Sequence, residues 1–126
     1  MLHRSLESVY EHLREFNVAV DSRGRIVGCA AVDIVWADLA EIKSVAVDDR
    51  KRGKGVGGAL IEASIKDARK VGVRKLFALT YEKEFFRRHG FKVTDRNRLP
   101  EKVWLECITC EKADACDEIA MMLRLD

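Results

Sequence analysis

No run of about 18 apolar residues occurs anywhere in this chain, so no membrane-spanning helix is expected. The opening residues, Met1-Leu2-His3-Arg4-Ser5, contain no apolar stretch of signal-peptide length, which makes the cytoplasm the expected location. An excess of one charge sign is missing too. Against 23 Lys and Arg stand 21 Asp and Glu, a formal net charge of +2, too weak to mark a nucleic-acid binder. The cysteines are few, Cys29, Cys107, Cys110 and Cys116, and in a reducing compartment disulfides are not their first reading. Neither a repeat nor a low-complexity tract nor a linker divides the chain. A single domain over residues 1–126 is expected, and 48% hydrophobic with 35% charged residues suits a globular protein with a core.

What is present is ordered along the chain. Leu6, Val9, Tyr10 and Leu13 recur at helical spacing, predicting a helix over about residues 5–15. Strands follow at Phe16–Val20, Ile26–Trp36 and Leu39–Val47, separated by turns at 21–24 and 37–38. Connections this short predict an antiparallel meander. Leu60, Ile61, Ala63, Ile65 and Ala68 then mark one apolar face of a helix over Val56–Val71, with Gly72 as its stop. A buried strand at Arg74–Leu79 is expected to run parallel to the strand before that helix. A short helix at Glu82–His89, strands at Phe91–Thr94 and Ile119–Leu125, and an irregular segment over 99–116 complete an α/β fold with a mixed, mostly antiparallel sheet and flanking helices.

Between the third strand and the long helix lies Arg50-Lys51-Arg52-Gly53-Lys54-Gly55-Val56-Gly57-Gly58. A phosphate cradle needs close approach of backbone, several N–H groups pointing one way, and the positive end of a helix behind them. Gly53, Gly55, Gly57 and Gly58 supply the first, the helix opening near Val56 supplies the others, and Arg52 and Lys54 add charge. The bland alternative is a solvated turn, but a strand before and an amphipathic helix after favour the cradle. A Walker loop is excluded, because it needs a Gly-Lys-Ser/Thr ending and Gly58 is followed by Ala59. The dinucleotide fingerprint fits Gly53, Gly55 and Gly58, but the loop follows a meander, and no acid near Leu79 is placed to take a ribose.

These residues resemble the GCN5-related N-acetyltransferase superfamily. Arg52, Gly55 and Gly57 match its Q/R-x-x-G-x-G/A signature, Ala40–Val47 is similar to its splayed central strand, and Phe85-Phe86-Arg87-Arg88-His89-Gly90-Phe91 resembles its F-Y-x-x-x-G-F segment. Ala40-Glu41-Ile42, Ala78-Leu79-Thr80-Tyr81, Leu99–Trp104 and Cys107 to Met121 resemble short N-acetylglutamate synthase-type members. The resemblance implies acetyl-CoA as cosubstrate and transfer of its acetyl group to a primary amine. That amine is the α-amino group of glutamate in arginine biosynthesis, a protein N-terminus or a lysine; a non-catalytic acyl-CoA sensor is the alternative from another class. Relatives usually begin with a strand and a helix ahead of the helix at 5–15; neither is expected here, and an uncovered sheet edge would favour a homodimer. Neither a nucleic-acid nor a membrane partner is expected.

The implied reaction needs a base for the ammonium, a place for the oxyanion and departure of a thiolate. The resemblance makes Glu41 the general base; otherwise it is a half-exposed strand glutamate paired with Lys43 or another cation. It also implies that backbone groups of Val45 and Val47 hold the pantetheine arm, with Arg52, Gly53, Lys54, Gly55, Val56, Gly57 and Gly58 around the pyrophosphate. Phe86 occupies the position of the family's acid tyrosine. A thiol pKa of about 8.5 makes the thiolate a tolerable leaving group without one. Tyr81 is a substitute acid or a partly buried structural residue. Arg4, Lys43, Lys83, Arg87 and Arg88 are candidate partners for an acidic acceptor, or solvated surface charges. Trp36 and Trp104 read as packing residues and Cys29 as core. Cys107-x-x-Cys110 with Cys116 has zinc-like spacing, but a structural zinc takes four ligands and His3, His12 and His89 are distant in sequence, so no metal is expected.

Overall fold

The computed structural model describes residues 13–95 and 118–125. A 3-10 turn at Leu13–Glu15 leads into β1 (Phe16–Val20), β2 (Ile26–Trp36) and β3 (Leu39–Val47). A second 3-10 turn at Asp49–Lys51 precedes α1 (Val56–Val71), β4 (Lys75–Thr80), α2 (Lys83–Arg87), β5 (Lys92–Val93) and β6 (Ile119–Arg124). The six strands form one sheet in the order β1-β2-β3-β4-β6-β5. β1, β2 and β3 are the expected antiparallel meander. β3 and β4 are parallel, as a crossover through α1 requires. β6 returns between β4 and β5 and is antiparallel to both, an insertion that strand spacing along the chain does not reveal.

The sheet separates two packed faces. On one, Ile61, Ile65 and Ala68 of α1 pack on Ala40, Ile42, Leu76, Ala78 and Met121, with Phe86 and Phe91 closing the end. Burying an Ile side chain stabilises by about 1.5–3 kcal/mol, so this stripe is what holds α1 down. Asn17 Nδ2 donates to Asp67 Oδ2 at 2.7 Å, tying α1 to β1 as well. Gly72 ends the helix at φ 96, its N–H bonding the carbonyls of Ala68 and Arg69. On the other face, Val35, Leu39, Phe77 and Ala120 form a smaller cluster.

Several expected details are corrected. α2 is shorter than 82–89. Glu82 is not helical and its N–H bonds Thr80 Oγ1, while the turn from Arg88 to Gly90 tightens to bonds such as His89 N–H to the Phe86 carbonyl. β5 shrinks to two residues, Lys92 and Val93, which pair with Met122 and Met121 of β6, while the Thr94 N–H still bonds the Ala120 carbonyl at 2.9 Å. Trp36 is 63% exposed and does not pack in the core. Cys29 is half-buried rather than core. The predicted helix at 5–15 falls largely outside the described residues. So do the segment 99–116, Cys107, Cys110 and Cys116, Arg4, His3, His12 and Trp104.

Candidate functional site

The site is built on a break in β3. Gly28 and Cys29 pair with Val47 and Ala46, but Ala31 pairs with Lys43, so β3 carries an extra residue opposite Ala30. Ser44 there has φ 56, the single positive value among the described non-glycine residues. Such a bulge reverses which face each side chain takes. Before it, Ala40 and Ile42 face α1, while Glu41 and Lys43 point the other way. After it, Val45 and Val47 face α1. The Cys29 thiol donates to the Ser44 carbonyl at 3.3 Å, across the bulge, and burial pushes that thiol pKa up.

The same break opens the sheet. β3 and β4 share only the pairs Leu39–Lys75, Ala40–Leu76 and Glu41–Phe77. Beyond Glu41, β3 runs on to Val47 and β4 to Thr80 with no common register. The result is a wedge between two parallel strands, with Glu41 at its apex and the backbone of 43–47 along one side.

The glycine-rich loop follows at the open end of β3. Asp48 caps the 3-10 turn by accepting from the Arg50 N–H at 3.0 Å, which holds its carboxyl below the usual range. Gly53 and Gly55 then take φ 77 and 82, left-handed values that let the chain turn into α1. Ala59 N–H is the first to bond back, to the Gly55 carbonyl at 3.0 Å. The N–H groups of Val56, Gly57 and Gly58 therefore have no acceptor within the helix, and the helix dipole makes this end electropositive. No acidic side chain sits in the first turn of α1. Arg52 is exposed and pairs loosely with Asp49 at 3.1 Å.

Gly53, Gly55 and Gly57 are held to glycine for two different reasons. A Cβ at Gly53 or Gly55 would meet nothing within 4 Å, so their backbone angles demand glycine. A Cβ at Gly57 would lie 3.2 Å from Phe85 Cζ, and one at Gly58 3.4 Å from His89 Cε1. At Gly57 the obstacle is Phe85 on α2, whereas the Gly58 distance to His89, just past α2, is ordinary contact. Phe85 stands edge-on to Phe86 and His89, each with ring centres 5.4 Å apart, and His89 Nδ1 donates to Glu62 Oε2 at 2.7 Å. The F-F-x-x-H segment thus seats on the first turn of α1 and places its helix end beside the wedge.

On the far face, Glu41 is 7% exposed, not half-exposed as the bland alternative required. Asp33 stands directly across from it on β2. Lys43 Nζ lies 2.9 Å from Asp33 Oδ2. Asp33 escaped attention in the sequence, although a lone acid inside Ile-Val-Gly-Cys-Ala-Ala-Val-Asp-Ile-Val-Trp was its signal. The structure brings together Glu41, Val45, Val47 and Arg52 to Gly58 around the wedge and its mouth. Tyr81, just past β4, is 45% exposed rather than partly buried. Phe86 is buried against Phe91 at a ring separation of 5.1 Å. Arg87 and Arg88 are exposed, Arg87 pairing with Glu84 at 3.3 Å, and are not gathered with Glu41. No helix among the described residues is long and apolar enough to cross a membrane.

This architecture is shared with known proteins. A sequence profile described as the acetyltransferase (GNAT) family matches residues 3–91. An uncharacterized N-acetyltransferase of Chlorobaculum tepidum is 42% identical over 125 residues, 99% of this chain and 80% of that protein. An amino-acid acetyltransferase of Mycobacterium tuberculosis is 43% identical over 93 residues, 72% of this chain and 53% of its own length. Among solved structures, N-acetylglutamate synthase from Neisseria gonorrhoeae, complexed with coenzyme A and N-acetyl-glutamate, superimposes with a TM-score of 0.87 at 31% identity. The match covers all of this chain and 29% of that one. The chain therefore spans about half or less of the two proteins whose names carry a substrate class.

Proposed function

Since the chain belongs to the acetyltransferase (GNAT) family and uses acetyl-CoA as its cosubstrate, we propose that it acetylates the α-amino group of glutamate, with Glu41 as general base. One observation carries the mechanism. The electropositive end of α1 lies on one face of the sheet, Glu41 is buried on the other, and the wedge beyond the Glu41–Phe77 pair joins them. Acetyl-CoA, when bound, supplies an acetyl thioester. The N–H groups of Val56, Gly57 and Gly58, with Gly53, Gly55 and the charges of Arg52 and Lys54, would take its pyrophosphate. Backbone groups of Val45 and Val47 line the path from that cradle into the wedge and would hold the pantetheine arm.

The acceptor then approaches from the far face, where Glu41 waits. Glu41 removes a proton from the ammonium, directly or through water. The freed nitrogen lone pair forms the C–N bond, the C–S bond breaks, and the sulfur departs as a thiolate. No acid side chain is needed for that last step, given a thiol pKa of about 8.5. Glutamate as acceptor is supported by the amino-acid acetyltransferase and the synthase, both matched over part of their length.

Thiol release from acetyl-CoA in the presence of an amino-acid panel tests this reading. Glutamate-dependent release is expected. Release only with peptides bearing a free N-terminus or lysine would replace it with a protein acetyltransferase. Binding of acetyl-CoA without release for any acceptor would leave a sensor. A homodimer is part of the proposal, because β1 ends the described sheet and exposes Val18 and Val20; light scattering should return twice the chain mass, and a monomer would remove it.

A further inference from the structure

Gly28 lies on β2, outside the glycine loop, the wedge and every motif that the sequence displays. It is not among the glycines at positive φ, so its backbone would accept alanine, which ordinarily suits a strand better than glycine. Space is what forbids it. A Cβ there would lie 2.9 Å from Leu60 Cδ1, 3.0 Å from the Ala46 carbonyl oxygen and 3.2 Å from Val56 Cγ1. Leu60 is 3% exposed, so its methyl can swing only into packed neighbours. Val56 is β-branched, and χ1 of such a side chain is held near one rotamer in a helix. The Ala46 carbonyl is main chain, beside the bulge in β3. What can yield is the start of α1, because helix ends fray.

The neighbouring residues tie the same point to β3. Gly28 pairs with Val47, and Val47 Cγ2 lies 3.6 Å from where a Cβ on Gly57 would stand. The Asp48 N–H bonds the Val27 carbonyl at 2.8 Å. At adjacent residues, β2 thus holds the end of β3 by a hydrogen bond and the start of α1 by close approach. We propose that Gly28 is a positioning residue for the cosubstrate. Its missing side chain sets how deeply α1 starts on the sheet, and so aligns the N–H groups of Val56, Gly57 and Gly58 with the backbone of Val45 and Val47. This inference rests on the cradle reading above and deepens it. The pyrophosphate and the pantetheine arm are covalently joined, so both engage together only where cradle and strand are correctly spaced. A methyl group at Gly28 pushes the cradle off that spacing.

The test compares acetyl-CoA with S-acetylpantetheine, which carries the same thioester and arm but no phosphate. Calorimetric titration reads the Kd of the first directly and of the second by competition. The proteins are the wild type, Gly28→Ala, Gly28→Ala/Leu60→Val and Ile65→Ala. The wild type is expected to prefer acetyl-CoA. Gly28→Ala should reduce that preference about tenfold, the scale of a moderate overpacking strain. Gly28→Ala/Leu60→Val exchanges one carbon for another and removes the 2.9 Å contact, so it should recover part of the preference. Ile65→Ala is a core loss farther along α1. It should lower stability and keep the wild-type preference, which separates positioning from stability.

A folded Gly28→Ala that keeps the wild-type preference overturns the inference and leaves the cradle reading standing. An equal loss of preference in Ile65→Ala makes the effect one of stability and overturns it too. If Gly28→Ala fails to fold, the double variant decides, and a full wild-type preference in it counts against the inference. A wild type that binds both thioesters alike removes the cradle reading and this inference with it.

Discussion

Glu41 and Cys29 are the two residues whose surroundings carry the most chemical meaning. Glu41 is a buried acid at the apex of the wedge. In its proposed role as general base it would contribute a factor that its amide cannot replace, and Glu41→Gln should lower kcat by about tenfold or more with acetyl-CoA binding intact. The acidic limb of the pH–rate profile should vanish with it; an unaltered profile at full rate would end the assignment. Cys29 is a case of burial acting on reactivity. Its pKa is raised because the half-buried thiol is not readily ionised. The thiolate is the reactive form, so alkylation of Cys29 in the folded protein should be slower than in the unfolded chain near neutral pH. Peptide mass mapping after timed alkylation reads this directly. The sign for stability follows: with the folded pKa above the unfolded one, any contribution is present below the unfolded value and fades as pH rises past the folded one.

At the scale of elements, the first turn of α1 is held in place by α2. Alanine in a helix ordinarily stabilises by about 0.5–1 kcal/mol relative to glycine. At Gly57 the added Cβ meets Phe85 Cζ at 3.2 Å, and Phe85 is wedged between Phe86 and His89. Gly57→Ala should therefore weaken acetyl-CoA binding, and adding Phe85→Leu should restore part of it by removing the obstructing ring edge. Calorimetric titration of the single and double variants checks both. Gly53→Ala meets no such obstacle, and its penalty is the left-handed backbone at φ 77, about 1–2 kcal/mol, visible as a lower Tm.

The bulge in β3 is an element whose signature lay in the sequence. Ala40 and Ile42 put apolar residues at even positions, Ser44 breaks the series, and Val45 and Val47 resume it at odd ones. A strand with one buried face cannot change parity without an extra residue. Read as a plain strand, Leu39–Val47 had its ends right and the direction of half its side chains undecided.

For the whole molecule, the sheet is a partition with the glycine loop and the start of α1 on one side and Glu41 on the other, the proposed cosubstrate cradle and the proposed base. That arrangement depends on α1 staying on its face. Ile61 is fully buried at the centre of that contact. Ile61→Ala should cost about 2–5 kcal/mol, measured by urea unfolding. Activity should survive in the fraction that remains folded, since Ile61 is a core residue outside the glycine loop.

The strands β1 to β3, the long helix α1 and the glycine loop were determined by local sequence, because alternation, helical periodicity and glycine punctuation act over a few residues. Val56–Val71 is the clearest case, with Gly55 and Gly72 at its two ends both at positive φ. Tertiary structure alone decided the rest. It placed β6 between β4 and β5, parted β3 from β4 beyond Glu41, seated Phe85 and His89 on Gly57 and Gly58, and set Asp33 against Lys43. Each of these joins residues far apart in the chain through packing or charge, and no short-range pattern records which distant partner a residue will meet.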